Sequence, residues 1–194
     1  MPITYTNRKG VTYHLCQGVT KTGKPRYYFA RQPKGEPVQE IPQGWRVSES
    51  VNGVVSLVRD RPSQILPGEL AAVESALERH PKTRNYRTVV KRDCIEVYER
   101  VGLDADDLVA VLSKELDVPN LADRLHDWQD QRARFAPVLR FILADAAHRT
   151  FDVQRMCYRG SVEGWIDVGE SGPVDQLARG LIPTLGTERF FELY

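Results

Sequence analysis

Short stretches of alternating apolar and polar residues dominate the beginning of the chain. The two kinds of side chain alternate from Val11 to Cys16, and a second strand is predicted from Arg26 to Arg31, after a loop over residues 18–25 that is rich in Gly, Thr and Lys. A period of two residues is typical of strands that bury one face. Each face of the second strand carries an aromatic residue and an arginine, so we expect one face to show an aromatic ring to solvent.

A second hairpin is predicted between Trp45 and Arg59. Its two apolar stretches flank Asn52-Gly53, the residue pair preferred at the centre of a type I′ turn. We expect this hairpin to complete one antiparallel sheet of about four strands. The prolines and glycines over residues 33–44 interrupt the pattern between the hairpins. Arg61-Pro62 ends the sheet, because proline restricts the residue before it.

After Pro62 the chain combines helical and strand periodicities. Helices are predicted over Pro67 to Arg79, from Asp104, from Asn120 and over Val174 to Leu181; strands are predicted over Tyr86 to Lys91, Cys94 to Arg100, Pro137 to Ala144, Thr150 to Tyr158 and Trp165 to Val168. Asp104 is expected to cap a helix whose apolar side includes Leu116, and Trp128 is expected to face inward from the next helix. The apolar tail from Phe190 to Tyr194 is expected to dock on the body of the protein.

These patterns predict an α+β fold, with an N-terminal antiparallel β-meander module over residues 1–60 and a mixed α+β module over residues 64–194. The 194 residues are 41% hydrophobic and 27% charged, which is ordinary for a globular protein. No apolar run approaches the ~18–20 residues of a membrane span, and no apolar signal-peptide core is present. We therefore expect a cytoplasmic protein without membrane contact. Cys16, Cys94 and Cys157 form no C-x-x-C pair and are expected to be reduced and packed.

Charge is distributed unevenly along the chain. The first 35 residues contain no Asp or Glu, but seven cations: Arg8, Lys9, Lys21, Lys24, Arg26, Arg31 and Lys34. The remaining 159 residues carry 20 Lys and Arg against 26 Asp and Glu. An asymmetry of this kind points to a polyanionic partner, and nucleic acid is the commonest polyanion. Tyrosines among the cations add rings on which bases can stack. A small basic sheet with its tyrosines in the core would show the same composition.

The motifs of metal and nucleophilic sites are incomplete. His14 and Cys16 lie two residues apart, but no second Cys or His pair stands near them, so neither a metal nor a cofactor is expected. Gly160 is followed directly by Ser161, which is the wrong spacing for a serine nucleophile elbow. Strand alternation places Glu96 and Glu99 on opposite faces of their strand, so these carboxylates do not converge on a common metal ion.

The sequence therefore predicts a nucleic-acid-binding accessory protein without catalysis of its own, with DNA or RNA as its partner. The residues expected to bind nucleic acid are Arg8, Lys9, Tyr13, Lys21, Lys24, Arg26, Tyr28 and Arg31. Two other classes of function stay open. One is an adaptor that binds a protein partner, or itself, through the acidic α+β module. The other is an enzyme whose site is assembled around Arg155, Tyr158, Arg159 and Ser161.

Overall fold

A computed structural model describes residues 1–33, 35–102, 105–112, 120–159 and 162–192; the side chains of 105–107, 159, 162 and 163 are outside this description. The chain divides into two compact units, Met1–Arg61 and Pro62–Tyr194, which we call the N-terminal and C-terminal units. The predicted fold class is confirmed: an antiparallel β-meander comes first, and helices combined with an antiparallel sheet follow it.

The N-terminal unit is built on a four-stranded antiparallel sheet in which β2 is central. Its strands are β1 (Thr4–Thr6), β2 (Thr12–Val19), β3 (Pro25–Ala30) and β4 (Glu36–Pro37). One edge of β2 pairs with β3, and the other edge pairs with β1 and β4 in succession. Leu15 and Cys16 on β2 are completely buried. The short strands β1 and β4 give too few residues for a recognisable alternation, which is why the sequence pattern missed them.

The second hairpin does not complete this sheet, contrary to the prediction. It consists of β5 (Trp45–Glu49) and β6 (Val55–Arg59), which pair only with each other and form a separate two-stranded sheet in the described part of the unit. The link to the first sheet is made by side chains. The Tyr5 hydroxyl, for example, donates to Glu49 Oε2 at 3.1 Å.

The predicted type I′ turn at Asn52-Gly53 is also wrong. The Gly53 N–H donates to the Ser50 oxygen at 2.9 Å, and the Ser50 N–H donates to the Val54 oxygen at 2.9 Å. Gly53 has a φ of +78°, whereas Asn52 does not have positive φ. The hairpin loop is therefore one residue longer than predicted: a type I turn is followed by a glycine in the left-handed region, which forms a G1 bulge.

The C-terminal unit is a five-stranded antiparallel sheet with order β11-β10-β9-β8-β7. Its strands are β7 (Tyr86–Val90), β8 (Cys94–Val101), β9 (Arg134–Asp145), β10 (Thr150–Arg159) and β11 (Val162–Gly172). Its helices are α1 (Pro67–Glu78), α2 (Ala105–Leu112), α3 (Leu121–Arg132), α4 (Val174–Leu181) and α5 (Glu188–Phe191), with 3₁₀ turns at Thr83–Asn85 and Ile182–Thr184. The core is formed by α1 and α4 against one face of the sheet, where Phe141, Phe151 and Leu139 are fully buried.

One prediction for the helices of this unit needs correction. Trp128 on α3 does not face inward: it is 51% exposed, and the neighbouring Gln129 is the buried residue of that helix. The predicted start of this helix at Asn120 is confirmed, since Asn120 directly precedes α3; it has a left-handed conformation, with φ of 55°, and its side chain makes no capping hydrogen bond. The buried side of this helix therefore includes Gln129 and not Trp128.

Several other predictions concern residues at or beyond the ends of the described ranges. Phe190 in the tail is buried as predicted, but Phe191 is 61% exposed, and Leu193 and Tyr194 lie outside the described residues. The predicted cap at Asp104 and the apolar position Leu116 also lie outside them. In the ranges that are described, no helix has both the length and the hydropathy needed to cross a membrane.

Candidate nucleic-acid interface

The eight predicted nucleic-acid-binding residues fall into two groups along the β2–β3 hairpin, with the cations of the two groups at opposite ends and Tyr28 midway, where it pairs with Cys16. The turn-end cluster comprises Lys21, Lys24, Arg26 and Tyr28. The open-end cluster comprises Arg8, Lys9, Tyr13 and Arg31. Six residue steps of β2 separate Tyr13 from Val19, which at about 3.4 Å per residue is roughly 20 Å. Because this distance exceeds the Debye length of about 8 Å at physiological salt, the charges of one cluster are largely screened from those of the other. Lys34, the seventh cation of the acid-free segment, lies outside the described residues.

Arg8 in the open-end cluster is already held by an acidic partner. Its Nε lies 3.5 Å from Glu49 Oε1, its Nη2 donates to the Ser50 oxygen at 2.9 Å, and its backbone N–H donates to Glu49 Oε1 at 3.2 Å. The same carboxylate accepts the Tyr5 hydroxyl, and this hydrogen bond is the main reason why the pKa of Tyr5 is raised. Glu49 lies outside the acid-free segment, so a count of charges along the sequence could not show that it compensates Arg8.

The other members of the open-end cluster also contact the protein itself. The Arg31 guanidinium lies 5.9 Å from the centroid of the Tyr13 ring, within the range of a cation–π interaction. The Lys9 side chain packs against Gly53, whose missing Cβ would be 3.4 Å from Lys9 Cδ. These contacts leave the open-end cluster less suited to a ligand than its composition indicates.

The three cations of the turn-end cluster lack such contacts. Lys21, Lys24 and Arg26 are all exposed, and none of them forms an ion pair with a carboxylate of the described residues. The loop that carries the lysines is internally hydrogen-bonded: the Gly23 N–H donates to the Thr20 oxygen at 2.9 Å, and the Lys24 N–H donates to Thr20 Oγ1 at 3.1 Å. Gly23 has a φ of +77° at the fourth position of this turn, and the side chains of the cations remain exposed to solvent.

Tyr28 is part of this cluster, but it also packs against the sheet. It lies two residues from Arg26 on β3, so both side chains project from the same face. The Tyr28 Cε1 atom is 3.3 Å from the position of a Cβ on Gly18, and its hydroxyl is 2.8 Å from that of Gly35. The ring therefore fills the space that these two glycines leave open. Tyr27, Tyr28 and Phe29 are all half-buried, so each face of β3 shows part of an aromatic ring to solvent, in agreement with the expectation that one face would do so.

The C-terminal unit contains a buried carboxylate that the sequence could not distinguish from a surface residue. Glu96 on β8 is 2% exposed. Lys91 Nζ donates to its Oε1 at 2.6 Å, and the Tyr98 hydroxyl donates to its Oε2 at 2.8 Å. On the opposite face of β8, Glu99 Oε1 accepts the Tyr86 hydroxyl at 2.9 Å. The two carboxylates therefore do not converge.

The groups around Glu96 are not activated for nucleophilic attack. Burial, with a smaller contribution from the Glu96 charge, raises the pKa of the Cys94 thiol to about 11. Burial and the hydrogen bond to Glu96 also raise the pKa of Tyr98. Both groups are therefore protonated at neutral pH, whereas a cysteine nucleophile needs a lowered pKa.

The three cysteines are free and buried, in agreement with the prediction that they are reduced and packed.

The residues proposed for an assembled enzyme site are not brought together where they are described. Arg155 and Tyr158 lie three positions apart on β10, so they project from opposite faces of the sheet. Arg155 is 7% exposed and donates to the Phe191 oxygen at 3.3 Å, whereas the Tyr158 hydroxyl donates to the Pro137 oxygen at 3.1 Å. Ser161 and the Arg159 side chain lie outside the described part of the chain.

Within the residues described, no three His, Cys, Asp or Glu side chains are grouped so that they could hold a metal ion. No protein-family model, curated protein or solved structure matches this chain.

Proposed function

We propose that the N-terminal unit binds nucleic acid, DNA or RNA, through the turn-end cluster, and that the protein acts as an accessory component without catalysis of its own. The observation that carries the proposal is the position of Lys21, Lys24 and Arg26: three exposed cations at one end of a hydrogen-bonded hairpin, without ion-pair partners among the described residues. The unpaired state of the cysteines favours a reducing compartment such as the cytoplasm.

A comparison of the three hairpin turns in this unit supports the proposal. Turns that begin at Asn7, Thr20 and Ser50 share one geometry: the residue at the fourth position is a glycine with positive φ, and its N–H donates to the oxygen of the first residue. The first and third turns bind each other through Asn7 Nδ2 and the Gly53 oxygen at 2.7 Å. The second turn has no such partner in the described part of the unit. Its cations are therefore available to an external anion.

The expected interaction is electrostatic and has little sequence preference. Lysine and arginine side chains on a turn reach phosphate oxygens, which position a nucleic acid but carry no sequence information. Tyr28 has its ring against Gly18 and adds at most one stacking surface beside Arg26. About three phosphate contacts would give a logarithmic salt slope of roughly −2 to −3. The proposed binding is therefore weak at physiological salt and tightens steeply as salt is lowered.

Fluorescence anisotropy of labelled oligonucleotides, titrated with the full chain at several salt concentrations, tests this proposal. The proposal expects a salt slope of that size and weaker binding when the three cations are replaced. Binding that is unchanged by the replacement would remove the turn-end cluster as the interface, and an adaptor role of the C-terminal unit would become the leading hypothesis.

A further inference from the structure

A cavity of about 370 Å³ lies in the C-terminal unit between α2, α3 and the ends of β8 and β9 that meet them. Leu108 from α2 contributes to its wall, together with Trp128 and Ala133 at the end of α3. The lining is mainly apolar. Its volume falls in the lower part of the range of small-molecule sites, about 300–1,000 Å³.

Apolar side chains at this cavity are more than half exposed to solvent. Trp128 is 51% exposed, and Val101, which also lines the cavity, is 60% exposed. Val111 on α2, one turn from Leu108, is 61% exposed. Two exposed large apolar side chains, Trp128 and Val101, thus meet in one concave place, which is typical of an interaction site, whereas single exposed apolar residues are ordinary on a surface.

Three arginines, Arg100, Arg132 and Arg134, complete the lining, and no described lining residue is acidic. The charge of Arg100 is already paired: its Nη2 lies 2.5 Å from Asp130 Oδ1, and its Nη1 donates to Gln129 Oε1 at 2.8 Å. Arg132 and Arg134 are exposed and form no ion pair with a described residue. The Arg132 guanidinium lies 5.1 Å from the centroid of the Trp128 ring, so a positive charge is held directly at the edge of the apolar wall. The cavity therefore combines an apolar surface with two cations that no acidic residue of the described ranges compensates.

We propose that this cavity binds a small organic molecule with an aromatic or branched apolar body and one carboxylate group. The apolar body would pack on Trp128, Leu108 and Val101. This contact would remove apolar surface of both the ligand and the protein from water. The carboxylate would pair with Arg132 and Arg134, since guanidinium groups match carboxylates with two parallel hydrogen bonds. This site belongs to the C-terminal unit alone and does not depend on nucleic-acid binding by the N-terminal unit.

Isothermal titration of the full chain with 2-naphthoate tests the proposal. The neutral analogue 2-naphthylmethanol has the same ring system and serves as the ligand control. We expect one naphthoate to bind per chain, and the neutral alcohol to bind at least about tenfold more weakly, because it forms no ion pair. Replacing Arg132 and Arg134 together by alanine should weaken naphthoate binding by at least about tenfold and leave the alcohol unaffected.

Matched variants separate the cavity from general effects of charge and folding. Arg124 is an exposed arginine of α3 that does not line the cavity, so Arg124→Ala should leave naphthoate affinity unchanged. Trp128→Ala removes the exposed wall and should weaken binding of both naphthoate and the alcohol. Thermal unfolding of every variant shows whether it is folded at the titration temperature. The proposal is overturned if naphthoate does not bind at about 1 mM, if the alcohol binds equally well, or if folded R132A/R134A retains the parent affinity.

Discussion

The Asn7 side chain binds the Gly53 carbonyl group with a hydrogen bond of 2.7 Å from Nδ2 to oxygen, and so joins the first hairpin turn of the N-terminal unit to the third. Asn7 is 5% exposed, and its Oδ1 also accepts the N–H groups of Lys9 and Val11 at 3.0 and 2.9 Å. The side-chain amide of Asn7 thus makes hydrogen bonds both within its own turn and to the neighbouring turn. The turn that carries Lys21 has the same backbone geometry but lies at the other end of β2, away from this hydrogen bond.

The C-terminal unit is expected to fold without the N-terminal unit. The Gln64 N–H donates to the Arg92 oxygen at 2.6 Å, and Ser63 Oγ donates to the Lys91 oxygen at 3.3 Å, so the chain is tied to the sheet of this unit from its start. A fragment from Pro62 to Tyr194 should therefore unfold in a single cooperative thermal transition, measured by circular dichroism. A fragment with no transition would mean that the two units share one folding core.

Elements of this fold were predicted correctly where a long enough segment kept a regular pattern of apolar residues. The helix Val174–Leu181 was predicted with its observed bounds, because Val174, Leu177, Ala178 and Leu181 all lie on one buried face. By contrast, β11 is 11 residues long, whereas only Trp165 to Val168 was predicted. The register of β10 and β11 shifts between Asp152 and Gln154, and a shift of this kind breaks the alternation on which a strand prediction rests.

The candidate site was predictable in composition but not in geometry. A charge count identifies the cations near the N-terminus, yet it cannot show that Glu49, which is distant in sequence, compensates Arg8 while Lys21 stays unpaired among the described residues. Nor can periodicity show that Trp128 is exposed, because an inward-facing and an outward-facing tryptophan fit the same helical pattern. Both features depend on packing between elements that are far apart along the chain.

Removing Lys91 should destabilise the protein more than neutralising its partner Glu96. Lys91→Ala leaves the Glu96 carboxylate buried without its cation, whereas Glu96→Gln removes the buried charge and keeps an acceptor for the Tyr98 hydroxyl. Lys91 is itself half-exposed, so we expect a loss of about 1–3 kcal/mol in the free energy of unfolding for Lys91→Ala. Urea denaturation measures both values. Equal stability of parent and Lys91→Ala would show that the pair contributes nothing.

Ionisation of Cys94 should reduce stability at alkaline pH. The thiol pKa is raised from 9.0 to about 11, mainly by burial, so the folded protein holds this proton more tightly than the unfolded chain. The resulting stabilisation is complete below about pH 9 and is lost as the pH rises through about 11. The melting temperature of Cys94→Ala, measured over this range, should therefore fall less steeply than that of the parent. Parallel curves would contradict the burial of the thiol.

Tyr28 should contribute both to stability and to binding of single strands. Tyr28→Ala removes the ring that covers Gly18 and Gly35, and we expect the free energy of unfolding to fall by roughly 1–3 kcal/mol. If the ring also stacks on a base, binding of a single-stranded oligonucleotide should weaken by ~1–3 kcal/mol, without a change in salt slope, since a neutral ring releases no counterion. Tyr28→Phe keeps the ring and should retain both properties. Full affinity of folded Tyr28→Ala would assign the ring to packing alone.

The central claim, that the turn-end cluster binds nucleic acid, needs a variant that removes its charge and a control that removes the same charge elsewhere. The test variant replaces Lys21, Lys24 and Arg26 by alanine. The control replaces Arg79, Arg92 and Arg124, three exposed cations of the C-terminal unit. Thermal unfolding confirms that both are folded before they are compared.

The deciding measurement is the affinity of the parent and of the two triple variants for a labelled oligonucleotide, determined by fluorescence anisotropy at several salt concentrations. We predict that the test variant binds more weakly and that its logarithmic salt slope is flatter by roughly one unit for each phosphate group that it no longer binds. The control should keep the slope of the parent. If the test variant binds as tightly as the parent at about 0.1 M salt, where most exposed charge pairs beyond about 10 Å are screened, the turn-end cluster is not a nucleic-acid interface.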